Sequence, residues 1–235
     1  MAGRRKFFRN FSAEWKWFDF VLLALGIIVP VVLGVIFDSS ILETITSILF
    51  ITAMLIIAKA KIQGFFVALV AYVLYIIVSF NKGLYGEVIA MSLFTIPITI
   101  LTIVLWLGKG NHATTQIKGV QFKGFALLVL SQLIMGIGYY FLLRAFNTNF
   151  LIVSTITLAI SVMGDFLCAR KNVLGPYFYV IFDICVIILW SLVVASGHPS
   201  AVVIIAMQAM NMVNDLYGAI NWTRLSRKRI PKSHI

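Results

Sequence analysis

"IAMQAMNMVNDLYGAINW", Ile205 to Trp222, is a run that a lipid-spanning helix should not tolerate easily. It holds Gln208, Asn211, Asn214, Asp215 and Tyr217 inside an otherwise apolar chain. A second run, "IAMSLFTIPITILTIVLW" from Ile89 to Trp106, opens with the same Ile-Ala-Met and ends in Trp at the same spacing. Ser92 aligns with Gln208, Thr95 with Asn211, Thr99 with Asp215 and Thr102 with Gly218. These positions share one face of a helix. Each run ends just before a basic segment, where a Trp reads as an interfacial anchor. The pairing predicts two related helices, and hence a duplicated fold.

The rest of the chain fits that frame. Of its 235 residues 61% are hydrophobic and only 11% charged, against about 25% charged in an ordinary soluble domain. Mean hydropathy is +1.02. Apolar runs long enough to cross a hydrocarbon core recur throughout, and the alternation of a membrane barrel is absent. The reading is an all-α polytopic membrane protein with eight transmembrane helices, at 17–37, 41–58, 62–80, 84–107, 122–144, 147–168, 173–194 and 199–222. The first apolar run is long and lacks a small-x-small cleavage site, so it reads as a retained helix rather than a signal peptide. Counting back from each Trp-ended run gives two three-helix bundles, 41–107 and 147–222, joined by a linker helix at 122–144. This is a 3+1+3 core of parallel repeats within one transmembrane domain, 1–235. Helix 17–37, with Gly26, Pro30 and Gly34, is an accessory, and 223–235 is a basic tail.

Charge placement orients the chain. Arg4, Arg5, Lys6, Arg9 and Lys16 precede the first helix; Lys59 and Lys61, then Lys109, Lys118 and Lys123, then Arg170 and Lys171 fill loops on the same side. Arg224, Arg227, Lys228, Arg229 and Lys232 close the chain there too. Of the 19 Lys and Arg residues only Lys82 and Arg144 fall on the other side. Both termini are therefore expected in the cytoplasm. The net charge of +11 is spread as anchors along one membrane face. It suits contact with anionic lipid and argues against a nucleic-acid partner.

Ionisable and amide side chains at membrane depth are costly and mark candidate sites. Asp183, with Tyr179 and Trp190 on its face, can hold a polar ring or a ribose. Gln208, Asn211 and Asp215 form a stripe with Asn214 beside it. Thr95 and Thr99 can add hydroxyls from the related helix. The competing reading for each is packing glue between helices. Asp165, close to Arg170 and Lys171, reads as an interfacial ion pair. Tyr72, Tyr75 and Tyr217 are candidate pathway residues. Glu87 is either a helix cap or part of an outer gate. Enzyme chemistry has little support: His112, His198 and His234 fall in loops or the tail, and no zinc, phosphate-loop or Cys/His pattern occurs. No cofactor or metal is expected. Cys168 and Cys185 read as packing residues too far apart for a disulfide.

Gln208 followed by "NDLYGAINW" and basic residues resembles the closing signature of the bacterial nicotinamide riboside transporter family, PnuC. The stretch with Gly64, Tyr75, Tyr85, Gly86, Glu87 and Pro97 resembles the same family's third and fourth helices. The resemblance runs from the second helix to the tail. It implies two three-helix bundles joined by a linker helix, related to SWEET sugar transporters. It also implies facilitated diffusion of a vitamin or nucleoside across the bacterial inner membrane, trapping by cytoplasmic phosphorylation, and a homotrimer. The sequence departs from the family in its seventh helix. Pro176 and Tyr179 stand where the family often has two Trp residues, and Asp183 where Asn is common. Thiamine, riboflavin or a deoxynucleoside therefore stay open as ligands beside nicotinamide riboside. A non-transporting structural membrane protein, with polar stripes that merely join helices, is the reading from another class.

Overall fold

The structure, a computed structural model, describes residues 15–107, 117–119 and 122–227, with 122–128 as backbone only. The described residues form eight helices in chain order: α1 (Trp17–Ile36), α2 (Ile41–Ala58), α3 (Gln63–Asn81), α4 (Tyr85–Leu107), α5 (Phe122–Ala145), α6 (Leu151–Ala169), α7 (Gly175–Ala195) and α8 (Val202–Arg227). Six of them, α1 to α4, α6 and α7, are long and apolar enough to cross a membrane. In α5 the stretch Val129–Ala145 is apolar. The polar stripe and two arginines of α8 lower its hydropathy, yet that stripe is buried inside the bundle. The basic residues at 4–9, 109, 228, 229 and 232 lie outside the described residues, as do His112 and His234.

Six helices close a ring. α2 packs on α3, α3 on α4, α4 on α6, α6 on α7, α7 on α8, and α8 back on α2. α1 lies outside it against α2 and α8, and α5 lies outside it against α6 and α4. Buried Gly26, Pro30 and Gly34 bring α1 close to α2; a Cβ on Gly26 would sit 2.5 Å from Ile51 Cγ2. Small residues permit such approach where lipid supplies no hydrophobic drive. One end of the ring carries both described termini and is called the terminal end; the other is the opposite end.

Local chemistry fixes the elements. Ser40 and Glu43 form a capping box at the start of α2, with Glu43 N–H to Ser40 Oγ at 3.1 Å and Ser40 N–H to Glu43 Oε2 at 2.9 Å. The α2–α3 and α6–α7 turns are built alike. Ala60 (φ 55°) and Lys171 (φ 60°) adopt the left-handed conformation and donate to the carbonyls of Ile57 and Cys168 at 2.7 and 2.9 Å. Lys61 and Asn172 then donate to Ile56 and Leu167 at 3.4 and 2.9 Å, the hydrogen-bond pattern of a Schellman cap. Gly64 and Gly175 follow, each pressed on the preceding helix.

The structure corrects the sequence reading in four places. α4 holds a π-helical turn at Ala90–Thr95, just before Pro97, which has no N–H to continue the α pattern. The extra residue per turn rotates Ser92 to the exposed surface and leaves Met91 buried, so Ser92 is not the counterpart of Gln208. α8 continues to Arg227, past the expected start of the tail at 223. α6 starts at Leu151, not 147, because Asn147 (φ 51°) and Phe150 (φ 54°) are left-handed. Trp106 and Trp222 are buried and face each other, ring centroids 6.0 Å apart, rather than anchoring at a lipid interface.

A Cβ on Gly64 would meet backbone, 2.8 Å from Ile57 N and 2.9 Å from Ala53 O. Overpacking typically costs about 1–3 kcal/mol, and backbone cannot swing aside. Gly64→Val should therefore lower the melting midpoint in detergent by several degrees or prevent folding. Gly136→Ala on α5, with open space around it, should leave the midpoint unchanged.

Candidate functional site

The ring surrounds a small cavity, about 20 Å³ in volume. All six ring helices line it. α2 and α3 supply Phe50, Met54 and Tyr72, and α4 supplies Met91 and Thr95. Ser161 and Asp165 come from α6, and Tyr179, Phe182 and Asp183 from α7. Gln208, Asn211 and Asp215 come from α8. No Lys, Arg or His is among the lining residues.

A chain of hydrogen bonds runs along the α7–α8 wall. Asn211 Nδ2 donates to Gln208 Oε1 at 3.0 Å, and Gln208 Nε2 donates to Asp183 Oδ1 at 3.3 Å. Asp215 adjoins Asp183. Across the α6–α7 contact, Tyr179 Oη donates to Asp165 Oδ1 at 2.5 Å. Four buried oxygens of lining residues have no partner: Thr95 Oγ1, Asp165 Oδ2, Asp183 Oδ2 and Asn211 Oδ1. The carboxylate and amide oxygens among them only accept, so the cavity suits an occupant with several donors.

Side-chain clusters flank the cavity towards both ends. Towards the opposite end, Tyr75 Oη and Thr157 Oγ1 donate to the two oxygens of Glu87 at 3.2 and 3.1 Å. Trp190 Nε1 donates to Tyr75 Oη at 2.8 Å. This plug ties α3, α4, α6 and α7 together, and Phe50 packs on both Tyr72 and Tyr75. Farther out, Lys82 pairs with Glu43 at 3.1 Å and donates to Ser200 Oγ at 3.1 Å. At the terminal end Trp106 and Trp222 meet, and Phe65 packs edge-on against Trp106. Trp106 Nε1 donates to Cys168 O at 3.3 Å, and Trp222 Nε1 to Ile57 O at 3.2 Å.

Of the residues singled out in the sequence, Gln208, Asn211, Asp215, Asp183, Tyr179 and Thr95 meet in the cavity, together with Tyr72. The others lie elsewhere. Asn214 donates to the Ile51 carbonyl on α2 at 3.2 Å, Trp190 belongs to the plug, and Thr99 is buried beside Tyr72. Tyr217 is half-buried against Phe18 at the α1–α8 contact. Glu87 is fully engaged in the plug and does not cap α4. Asp165, read as an interfacial ion pair, lines the cavity instead; Arg170 stacks on Phe166 at 4.8 Å and Lys171 lies over Trp106 at 5.5 Å. Both cysteines are free. Phe50, Met54, Met91, Ser161 and Phe182 line the cavity without having been singled out. Only Ser161 carried a signal, on a polar stripe with Ser154, Thr157 and Asp165.

The family model described as nicotinamide mononucleotide transporter matches residues 40–224. The chain is 22% identical over 226 residues to the nicotinamide riboside transporter PnuC of Neisseria mucosa, covering 94% of this chain and 86% of that protein. It is 24% identical over 234 residues to the nicotinamide riboside transporter PnuC of Haemophilus influenzae, covering 97% and 98%. The fold matches the crystal structure of the vitamin B3 transporter PnuC with a TM-score of 0.82 at 21% identity, over 91% of this chain and 94% of that one.

Replacing Trp222 with Phe keeps an aromatic ring but removes the donor to Ile57 O. A buried hydrogen bond contributes about 0.5–1.5 kcal/mol net, so Trp222→Phe should melt a few degrees lower than the native protein by fluorescence-detected unfolding.

Proposed function

The chain belongs to the nicotinamide mononucleotide transporter family, whose members are multi-pass membrane transporters rather than enzymes, and from that premise we propose that it carries nicotinamide riboside, or a closely related nucleoside-like vitamin, through the central cavity. One observation carries this reading: a cavity among the ring helices with aromatic rings on its walls and four unpartnered oxygens. A planar ring can stack on Tyr179 or Tyr72, while Asp183, Gln208, Asn211 and Asp215 accept from sugar hydroxyls and an amide. Thr95 adds a hydroxyl from α4. The second half of the ring supplies most of these polar groups, so it grips the ligand more strongly than the first. At the first family Trp position Pro176 packs on Gly218 instead, which keeps thiamine, riboflavin and deoxynucleosides as alternative ligands.

The domain reading belongs to the same proposal. The pieces are an accessory helix, a first bundle of α2–α4, linker helix α5, and a second bundle of α6–α8. The bundles are parallel repeats, as in SWEET-type transporters. Three pairs of equal spacing support it: Ile57 and Cys168 each accept an indole N–H, Ala60 and Lys171 each turn left-handed, and Gly64 and Gly175 each open the next helix. Access alternates as the bundles rock about the cavity. The Tyr75–Glu87–Thr157–Trp190 plug acts as the outer gate and the Trp106–Trp222 pair as the inner one. The basic residues at the terminal end support termini in the cytoplasm of a bacterial inner membrane. Transport is downhill, and a cytoplasmic kinase retains the product by phosphorylation. The resemblance implies a homotrimer.

Purified protein, screened by thermal shift against nicotinamide riboside, thiamine, riboflavin and deoxynucleosides, should be stabilised saturably by one of them. Hydrogen bonds to charged groups contribute about 1.5–3 kcal/mol, so Asn211→Ala or Asp215→Ala should weaken that ligand roughly tenfold or more. No shift with any compound, in a protein that melts cooperatively, favours a purely structural role. Uptake into liposomes should be the same with and without a pH gradient; acceleration by the gradient would mean proton coupling instead.

A further inference from the structure

We propose that Asp165 is the counter-ion of the cavity, pairing with a formal positive charge on the ring of the transported ligand, so that this chain selects a cationic ligand over a neutral one of the same shape. This rests on the transport reading above and adds the electrostatic class of its ligand.

Asp165 lies on α6 and is 4% exposed. Its basic sequence neighbours turn away onto Phe166 and Trp106. One carboxylate oxygen accepts from Tyr179, and the other has no partner and lines the cavity. The groups facing it are Tyr72 from α3, Thr95 from α4, Tyr179 from α7, Asp215 from α8 and Cys168 on its own helix. None of these brings a positive charge. A buried carboxylate with no cation beside it is costly. A ligand that supplies the charge removes that cost on binding, and a neutral ligand does not.

The surrounding rings point the same way. Tyr72, Tyr179 and Phe182 line the cavity, and the face of an aromatic ring attracts a cation. Asp183 and Asp215 are less suited to the role. They adjoin each other and are tied to the Gln208–Asn211 amide chain, which matches the hydroxyls and amide of a ligand. Asp165 makes no hydrogen bond to that chain, and its nearest polar neighbours are the hydroxyls of Tyr179 and Thr95. The inference ranks the candidates. Nicotinamide riboside and thiamine carry a permanently charged ring, whereas riboflavin and deoxynucleosides do not.

The experiment is isothermal titration of the full chain in detergent with nicotinamide riboside and with its 1,4-dihydro form, which keeps the skeleton but has an uncharged ring. The cation should bind at least about tenfold tighter than the neutral form. Asp165→Asn keeps the side-chain volume and an acceptor for Tyr179. It should weaken the cation about tenfold and leave the neutral form within about twofold, so the preference collapses. Tyr179→Phe keeps the carboxylate and should retain the preference. Equal binding of both forms by the native protein overturns the charge assignment while leaving the transport reading intact. A preference that survives in Asp165→Asn overturns the role of Asp165. Binding of neither form overturns the assignment together with the ligand it rests on. Melting midpoints of the ligand-free variants check folding, and the native comparison stands without any variant.

Discussion

Two indole N–H groups close the ring. Most neighbours in it, such as α2 with α3 or α7 with α8, are joined by short turns and meet because the chain brings them together. The α4–α6 and α8–α2 contacts have no such help. Trp106 joins the first through Cys168 O, and Trp222 joins the second through Ile57 O. Both carbonyls lie in the last turn of a helix, where intrahelical donors run out. Each also accepts the N–H of a left-handed residue, Lys171 or Ala60. The turn and the indole thus share one acceptor. Geometry that fixes the turn also fixes where the distant helix must sit. Once both bonds form, the indoles lie against each other, and the cavity gains its floor at the terminal end.

In a low-dielectric interior, unmet hydrogen-bonding capacity separates glue from site. Glu87 and Trp190 are as buried as anything in the cavity, yet their polar atoms are all hydrogen-bonded to neighbouring helices. Their polarity is used in holding helices together. Asp165, Asp183 and Asn211 are equally buried, and each keeps an oxygen without a donor. An unmet acceptor at that depth is a standing cost, and such a cost persists where a ligand meets it. Burial and polarity alone would have placed all five residues in one category.

The sequence made the spans legible because hydropathy and charge placement are properties of single segments. The stripe Gln208, Asn211, Asp215 was legible for the same reason: its spacing already defines a helix face. What failed depended on neighbours. Ser92 left the face when the π-turn before Pro97 added a residue to the turn, an event the aligned letters could not register. Asp165 sat close in sequence to Arg170 and Lys171, but the helix ended between them and the basic side chains found aromatic faces instead. Trp106 and Trp222 resembled interfacial anchors because they precede basic segments, and only the ring contacts turn them inward. Asn214 differs from Asn211 by less than one turn, which is enough to aim it at a backbone carbonyl of α2. Phe50 and Met54 carried no signal, since an apolar residue facing a cavity looks like any other core residue.

On the reading of the chain as two parallel halves, the spacing that relates Ala60 to Lys171 also relates Phe50 to Ser161, Met54 to Asp165 and Tyr72 to Asp183. All six line the cavity. At these three pairs of positions the first half carries an apolar or aromatic residue and the second half a polar one. A symmetric cavity would offer the same chemistry twice, which suits a symmetric ligand. A nucleoside-like molecule is not symmetric: it has a flat ring that stacks and a sugar that needs acceptors. Dividing these demands between equivalent positions keeps the backbone scaffold matched, so both halves can still rock about one axis. On the proposed transport reading, the side chains alone decide which way round such a ligand sits, with the carboxylates of the second half set to hold its polar and charged groups.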